Sequence, residues 1–378
     1  MKIAMIGQKR VPSREGGVEI VVEELAVRMA ALGHQVDCYN RWDLPAKGAA
    51  KPLKEYKGVR LIQIPTFRHQ TLNAFVYSVL ATIRAVFGGY DVIHFHAEGP
   101  CAMTFLPKLL GIPVVSTIHG LDWQRAKWGG FATRYLLLGE RNAAKYSDAL
   151  LVLSLGNQRY FKDTYGREAI YVPNGVNILP YRPPQQIVSR WGLSRESYIL
   201  FLARIVPEKG LHYLIEAYKK INTDKRLVIA GKINRDSEYV RKICQMAEED
   251  PRILMTDFVT GQVLEELFSN CFLYVLPSDI EGMAISLLEA LSYGVRCLVS
   301  DISENVEASK EYARHFQRGN IEILRDRIEQ ALNDTDEHDR IRQIDFVSRR
   351  YSWDVVTRET LQIYDSVICS RKERGNGR

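Results

Sequence analysis

The chain predicts an α/β fold of two Rossmann-like domains, each a doubly wound parallel sheet. Three observations carry this. Short β-branched runs alternate with helix-period segments over nearly all of the 378 residues. Several of those runs are apolar on both faces, as strands buried inside parallel sheets are. The alternation completes two cycles, separated by a stretch at 172–184 that holds four prolines, has no periodic pattern and reads as a linker.

In the first cycle the expected strands are Lys2–Gly7, Gln35–Tyr39, Val59–Ile64, Asp91–His94, Pro113–Ile118, Ala149–Leu153 and Ala169–Val172. In the second they are Tyr198–Ala203, Arg226–Ala230, Ile253–Thr256, Leu273–Leu276 and Arg296–Val299. Helical period fills the intervals: Val18, Val21, Val22, Leu25, Met29 and Leu32 fall on one stripe. After Tyr351-Ser352-Trp353-Asp354 an apolar-periodic stretch to Cys369 predicts a terminal helix, and the polar residues from Arg371 on are expected to fray. The expected domains are therefore 1–177, completed by a helix at 353–370, and 178–352. Ligands of open α/β sheets bind beyond the carboxyl ends of the strands, so two such domains predict a cleft lined by the loops that follow strands.

Composition narrows the class. With 46% hydrophobic and 25% charged residues the chain needs no staples to build a core. Cys38, Cys101, Cys244, Cys271, Cys297 and Cys369 form no CxxC pair and lie mostly in or beside apolar runs, which predicts free thiols in a reducing, cytoplasmic setting. The opening Met1–Gly7 run is too short for a signal peptide. No apolar run reaches the ~18 residues of a membrane span; the nearest, Ala74–Phe87, contains Arg84. A net charge of +6 suits anionic phosphates or lipid headgroups, and no nucleic-acid-binding motif accompanies it.

The residues that could carry chemistry fall just after strands. Gly16 and Gly17 end the loop after the first strand and open a helix, where backbone can approach an anion; a plain turn would look the same. Gly7 and Gly16 are too far apart for a dinucleotide fingerprint, which counts against an NAD site. His119 stands at a strand's carboxyl end before Gly120, a position that favours function over structure. Asp122, Trp123, Arg125, Lys127 and Trp128 follow it and suit an acceptor or membrane side, or equally an amphipathic surface. Arg204 and Lys209 close the first strand of the second domain: a guanidinium grips two phosphate oxygens, and an ammonium adds a point charge. Taken alone they could be a solvated pair with Glu208. Glu281 and Glu289 have seven residues between them, with a helix starting inside the interval. Gly282, Met283 and Ala284 would present backbone N–H groups to a diphosphate, with Glu281 toward a sugar and Glu289 toward a ribose. Eight helical residues would span about 12 Å. The chain's Asp-x-Asp run, Asp334-Thr335-Asp336, follows none of the expected strands, so neither a metal nor another cofactor is expected.

In combination these residues resemble the GT-B-fold retaining glycosyltransferases of family 4. The resemblance spans nearly the whole chain: the Gly-Gly loop, His119, Val172-Pro-Asn-Gly-Val-Asn, Arg204 to Gly210, the Glu-x7-Glu element and the helix after Tyr-Ser-Trp. It implies a nucleotide-sugar donor held mainly by the second domain and an acceptor held mainly by the first. It implies that Arg204 and Lys209 neutralise the diphosphate, Glu289 binds the ribose and Glu281 the sugar hydroxyls, with backbone help from Met283 and Ala284. His119 would contact the sugar, and Gly17 would lie near the phosphates. It also implies a metal-independent transfer with retention and without a covalent enzyme intermediate. Ala203, Ala284 and Ser303 depart from the family's usual Gly, Pro and Pro and change loop shape, not charge. The run from His119 to Trp128 resembles bacterial exopolysaccharide and cell-surface enzymes. That implies a glycan or lipid-linked acceptor and peripheral contact with the anionic inner face of the cell membrane. A nucleotide-sugar epimerase would need a proton-abstracting pair, of which only His119 is visible. A non-catalytic sugar-nucleotide-binding subunit would not need the charged set.

Overall fold

The computed structural model describes residues 1–43, 52–66, 72–124, 130–334 and 339–376. Its contacts divide the chain into two compact units, Met1–Gly175 with the segment from Trp353 on, and Val176–Ser352.

The first unit runs β1 (Lys2–Ile6), α1 (Gly17–Ala31), β2 (Gln35–Asp43), β3 (Glu55–Tyr56), β4 (Val59–Thr66), α2 (Leu72–Val86) and β5 (Val92–His96). It continues with α3 (Glu98–Cys101), α4 (Phe105–Leu109), β6 (Val114–Ile118), α5 (Gly130–Tyr146), β7 (Ala149–Val152), α6 (Leu155–Tyr165) and β8 (Ile170–Tyr171). The sheet order is β3-β4-β2-β1-β5-β6-β7-β8. All pairs are parallel except the β3–β4 hairpin, whose two turn residues Lys57 and Gly58 both have positive φ. β5 and β6 are buried at every position, as central parallel strands must be. Ser154 caps α6 by accepting from the Asn157 N–H at 3.1 Å.

The second unit runs α7 (Gln186–Trp191), β9 (Tyr198–Leu202), α8 (Leu211–Lys219), β10 (Arg226–Ala230), α9 (Glu238–Glu248), β11 (Ile253–Asp257), α10 (Gln262–Asn270) and β12 (Leu273–Leu276). Then come α11 (Ile285–Ser292), β13 (Cys297–Ser300), α12 (Ser303–Ser309), β14 (Ala313–Phe316), α13 (Ile321–Leu332) and α14 (Arg340–Tyr351). Its all-parallel order is β11-β10-β9-β12-β13-β14. The last helix, α15 (Trp353–Asn376), belongs to the first unit and is tied to α1 by an Arg28–Asp354 ion pair at 2.8 Å.

Each strand order reverses once, at β1/β5 in the first unit and at β9/β12 in the second. At such a reversal the connections leave to opposite sides and open a crevice beyond the strand ends. The loops after those four strands are where each unit can hold a ligand.

Candidate functional site

In the second unit, Arg204 lies in the loop after β9. It is exposed, and among the described residues its side chain has neither an ion-pair nor a hydrogen-bond partner; the pair with Glu208 does not form. The chain then makes a short helical turn, Pro207–Lys209, into Gly210 at φ +65°. A Cβ on Gly210 would sit 2.0 Å from the Pro277 carbonyl oxygen, so only glycine lets the β9 loop close onto the β12 loop. That approach brings the Lys209 ammonium onto Glu281, with the two side chains only 13% and 7% exposed. The Ser278 hydroxyl donates to the same Glu281 oxygen at 2.7 Å. The β12 loop is held from below: Ser300 Oγ donates to the Ser278 carbonyl at 2.6 Å and Asn305 Nδ2 donates to Ser300 Oγ at 3.0 Å.

Gly282, Met283 and Ala284 are buried and lead into α11. Ala284 is its extended N-cap and has no side-chain oxygen to offer the helix's first N–H groups. Glu289 sits further along α11, partly exposed, and the helix is pinned to β12 by the Tyr274 hydroxyl donating to Ser286 at 2.8 Å. A guanidinium, an ammonium–carboxylate pair and an uncapped helix start thus gather at the strand reversal. The set can hold an anion with polar groups on either side of it.

In the first unit, partly exposed His119 follows β6. His96, the last residue of β5 and fully buried, meets it with Nδ1 at 3.1 Å from His119 Nε2. The ring of His94 lies against that of His96, with centroids 4.0 Å apart and the planes tilted by 35°. His94 is held at both nitrogens, by the Tyr364 hydroxyl at 2.6 Å and the Thr117 hydroxyl at 2.7 Å. Burial pushes His94 down to about 3, and drives His96 well below the ordinary imidazole range with help from its two histidine neighbours. Both rings are therefore neutral at physiological pH. Gly7, at φ +139°, packs on this strand end; a Cβ there would lie 2.1 Å from the His96 carbonyl oxygen.

Glu98 opens α3 and is fully buried. Burial first, then the charges of Asp122 and Glu140, push its carboxyl up to about 10, so it is a neutral acid at pH 7. It accepts from the Asp122 N–H at 3.2 Å. Glu140, also fully buried, accepts from the Trp123 indole at 2.9 Å and from the hydroxyls of Tyr160 and Tyr165 at 2.8 and 2.6 Å. This corrects the membrane-side reading of Trp123: its indole is a strut between the 122–124 turn and α5. Tyr135 likewise turns inward, edge-on to Phe75 at 5.5 Å. Arg125, Lys127 and Trp128 lie outside the described residues. On α5 the exposed groups are Phe131, Leu137, Leu138, Arg134, Arg141 and Lys145, and the one acid of that helix points inward.

Gly16 is the extended N-cap of α1, and Gly17 begins the helix. Glu19 folds back over this start, 2.3 Å from where a Gly16 Cβ would lie, and accepts from the Lys9 N–H at 2.9 Å. A carboxylate already occupies the first turn, which weakens the helix start as an anion site. Among the described residues no cluster of His, Cys, Asp or Glu could hold a metal ion.

Sequence reasoning did not single out His94, His96, Glu98, Ser278 or Ser300. Two histidines at alternate positions of a strand that ends at a reversal were a usable signal; the serines were not, because their role is to hold backbone.

Residues 15–178 match the family model for Glycosyltransferase Family 4, and residues 186–345 match that for Glycosyl transferases group 1. An uncharacterized glycosyltransferase of Methanocaldococcus jannaschii is 28% identical over 96% of this chain and 98% of its own. An Escherichia coli UDP-Gal:alpha-D-GlcNAc-diphosphoundecaprenol alpha-1,3-galactosyltransferase is 27% identical over 67% of this chain and 70% of its own. Among solved structures, sucrose-phosphate synthase from Thermosynechococcus elongatus superposes with a TM-score of 0.84 at 18% identity, covering 98% of this chain and 99% of that one.

Proposed function

From a chain that belongs to the GT-B-fold glycosyltransferases of the family 4 type, we infer a retaining, metal-independent transfer from a nucleotide-sugar donor to a glycan or lipid-linked acceptor, in bacterial polysaccharide or cell-surface glycan biosynthesis. The observation that carries this reading is the Arg204 guanidinium, without a partner among the described residues, in the same β9 loop that sends Lys209 to Glu281 at the reversal of the second sheet. In this reading the two cations take the leaving diphosphate in place of a metal, and α11 offers its first N–H groups. Glu289 takes the ribose, Glu281 a hydroxyl of the sugar, and His119 the sugar from the first unit. The Escherichia coli relative, whose name carries both a UDP-sugar and a diphosphoundecaprenol acceptor, supports the donor and acceptor classes.

The test is a panel of UDP-, GDP- and ADP-sugars with a polyprenyl-diphosphate-linked sugar, in EDTA, with the product's anomeric configuration read by NMR. Transfer with retention is expected. An inverted product, or activity lost in EDTA and restored by magnesium, would reject the mechanism. Isomerised donor in the absence of acceptor would favour an epimerase, and donor binding without turnover a non-catalytic subunit.

Among the described residues no helix is long and apolar enough to cross a membrane. The outward face of α5 joins exposed Phe131, Leu137 and Leu138 to Arg134, Arg141 and Lys145, with no acid among them. Such a face suits the anionic inner surface of a cell membrane, where a lipid-linked acceptor is reached. Wild type is expected to cosediment with anionic liposomes at low salt and release at moderate salt, and an Arg134→Glu, Arg141→Glu variant to stay in solution. Equal sedimentation of the two would discard this face as the contact.

A further inference from the structure

We propose that His96 is a positioning residue for His119: it donates its Nδ1–H to His119 Nε2 and so fixes His119 as the tautomer that carries its proton on Nδ1. The proposal rests on the reading of His119 as the sugar-contacting imidazole of the first unit.

The two rings meet at 3.1 Å, so one hydrogen lies between His96 Nδ1 and His119 Nε2. The other nitrogen of His96 decides whose it is. His96 Nε2 is fully buried and has no partner among the described residues. A buried N–H without an acceptor is costlier and rarer than a buried lone pair without a donor. The neutral ring therefore keeps its single proton on Nδ1, where it has an acceptor. His119 Nε2 must then accept, and a neutral His119 carries its own proton on Nδ1. Solvated histidine prefers the opposite, Nε2–H form, so the contact selects the less common tautomer.

The His96 ring is not free to turn away. It packs against His94, which is fixed at both ends by Tyr364 of α15 and Thr117 of β6. Its backbone is packed against Gly7, where no Cβ fits. Protonating His119 would set N–H against N–H unless His96 moved its proton to the buried Nε2. Among the described residues, the titratable groups on the surrounding elements include His94 and His96 on β5, Glu98 and Cys101 on α3, Asp122 in the turn after β6, Glu140 on α5 and Tyr364 on α15. Burial holds His94, His96, Glu98 and Tyr364 neutral.

The experiment is two-dimensional NMR of histidine-15N-labelled wild type, with His119 assigned from a His119→Gln variant, alongside pH profiles of transfer. Wild-type His119 is expected as the Nδ1–H form. His96→Leu should shift it to the Nε2–H form, change the pH profile of transfer and lower kcat/KM at least ~10-fold, short of the ~10⁴ seen when a wrong tautomer stalls a proton transfer. His96→Asn keeps an N–H donor at the Nδ1 position and should restore tautomer, profile and rate. An Nε2–H form in the wild type would overturn the proposal without need of any variant, and so would a His96→Leu protein with unchanged signals and profile. If His119→Ala transfers sugar normally, the role given to His119 fails while the tautomer result stands.

Discussion

Arg204→Ala and Lys209→Ala are each expected to lower kcat/KM for sugar transfer by on the order of 100-fold or more. Negative charge grows on the leaving diphosphate as the glycosidic bond breaks. Cations already held in place stabilise that growth without reorganising. Arg204 stands exposed at the end of β9 with no internal partner among the described residues, so the fold does not account for it. Removing it should move stability by no more than about 0.5 kcal/mol. The Arg204→Ala loss is thus a loss of chemistry and donor binding in a protein that melts normally. Arg204→Lys should recover only part of the activity, because a point charge does not grip two oxygens of one phosphate as a guanidinium does. The measurement is steady-state transfer with thermal melting of each variant beside it. Near-normal turnover in folded Arg204→Ala would remove the basis of the proposed function.

The sheet cores were legible because parallel strands must be apolar on both faces, and chains of β-branched residues say so directly. Arg226–Ala230 and Leu273–Leu276 appear with the expected bounds. The strand Ala313–Phe316 was not legible: it is an edge strand, and Arg314 and His315 interrupt its apolar pattern. β2 runs on through Asn40, Arg41 and Trp42 to Asp43, where polar residues hide the continuation. The charged residues of the second unit were legible from type and spacing. Their pairing was not, because it depends on a positive φ at Gly210 and the 2.0 Å that a Cβ there would leave to Pro277. The histidine cluster was hidden by distance along the chain, since His94 is fixed by a tyrosine 270 residues away. The membrane-side aromatics misled for a related reason: Trp123 looks interfacial until its indole finds the buried Glu140.

Lys209→Ala differs from Arg204→Ala in a second, measurable way: it should also cost on the order of 2–3 kcal/mol of stability. Its ammonium is the ion-pair partner of a carboxylate only 7% exposed, and its removal leaves that charge with the Ser278 hydroxyl as its one side-chain partner among the described residues. A hydroxyl offsets part of the desolvation of a carboxylate, which puts the cost at or below the low end for a fully buried pair. Glu281→Gln should cost less, since an ammonium on a flexible stem can swing toward water while an amide still accepts from Ser278. Taking both charges away as Lys209→Ala, Glu281→Gln removes the unpaired charge altogether, and the double variant should be more stable than Lys209→Ala alone. The coupling energy from this cycle is then between 0.5 and about 3 kcal/mol. Activity should follow a different pattern and stay lost in all three variants, because the diphosphate and the sugar hydroxyl need these groups themselves and not merely an intact loop. Chemical denaturation and transfer assays on the same four proteins separate the two roles. Stabilities that simply add would show that the ion pair does not hold the loop, and activity that returned with stability in the double variant would reduce Lys209 and Glu281 to a structural strut.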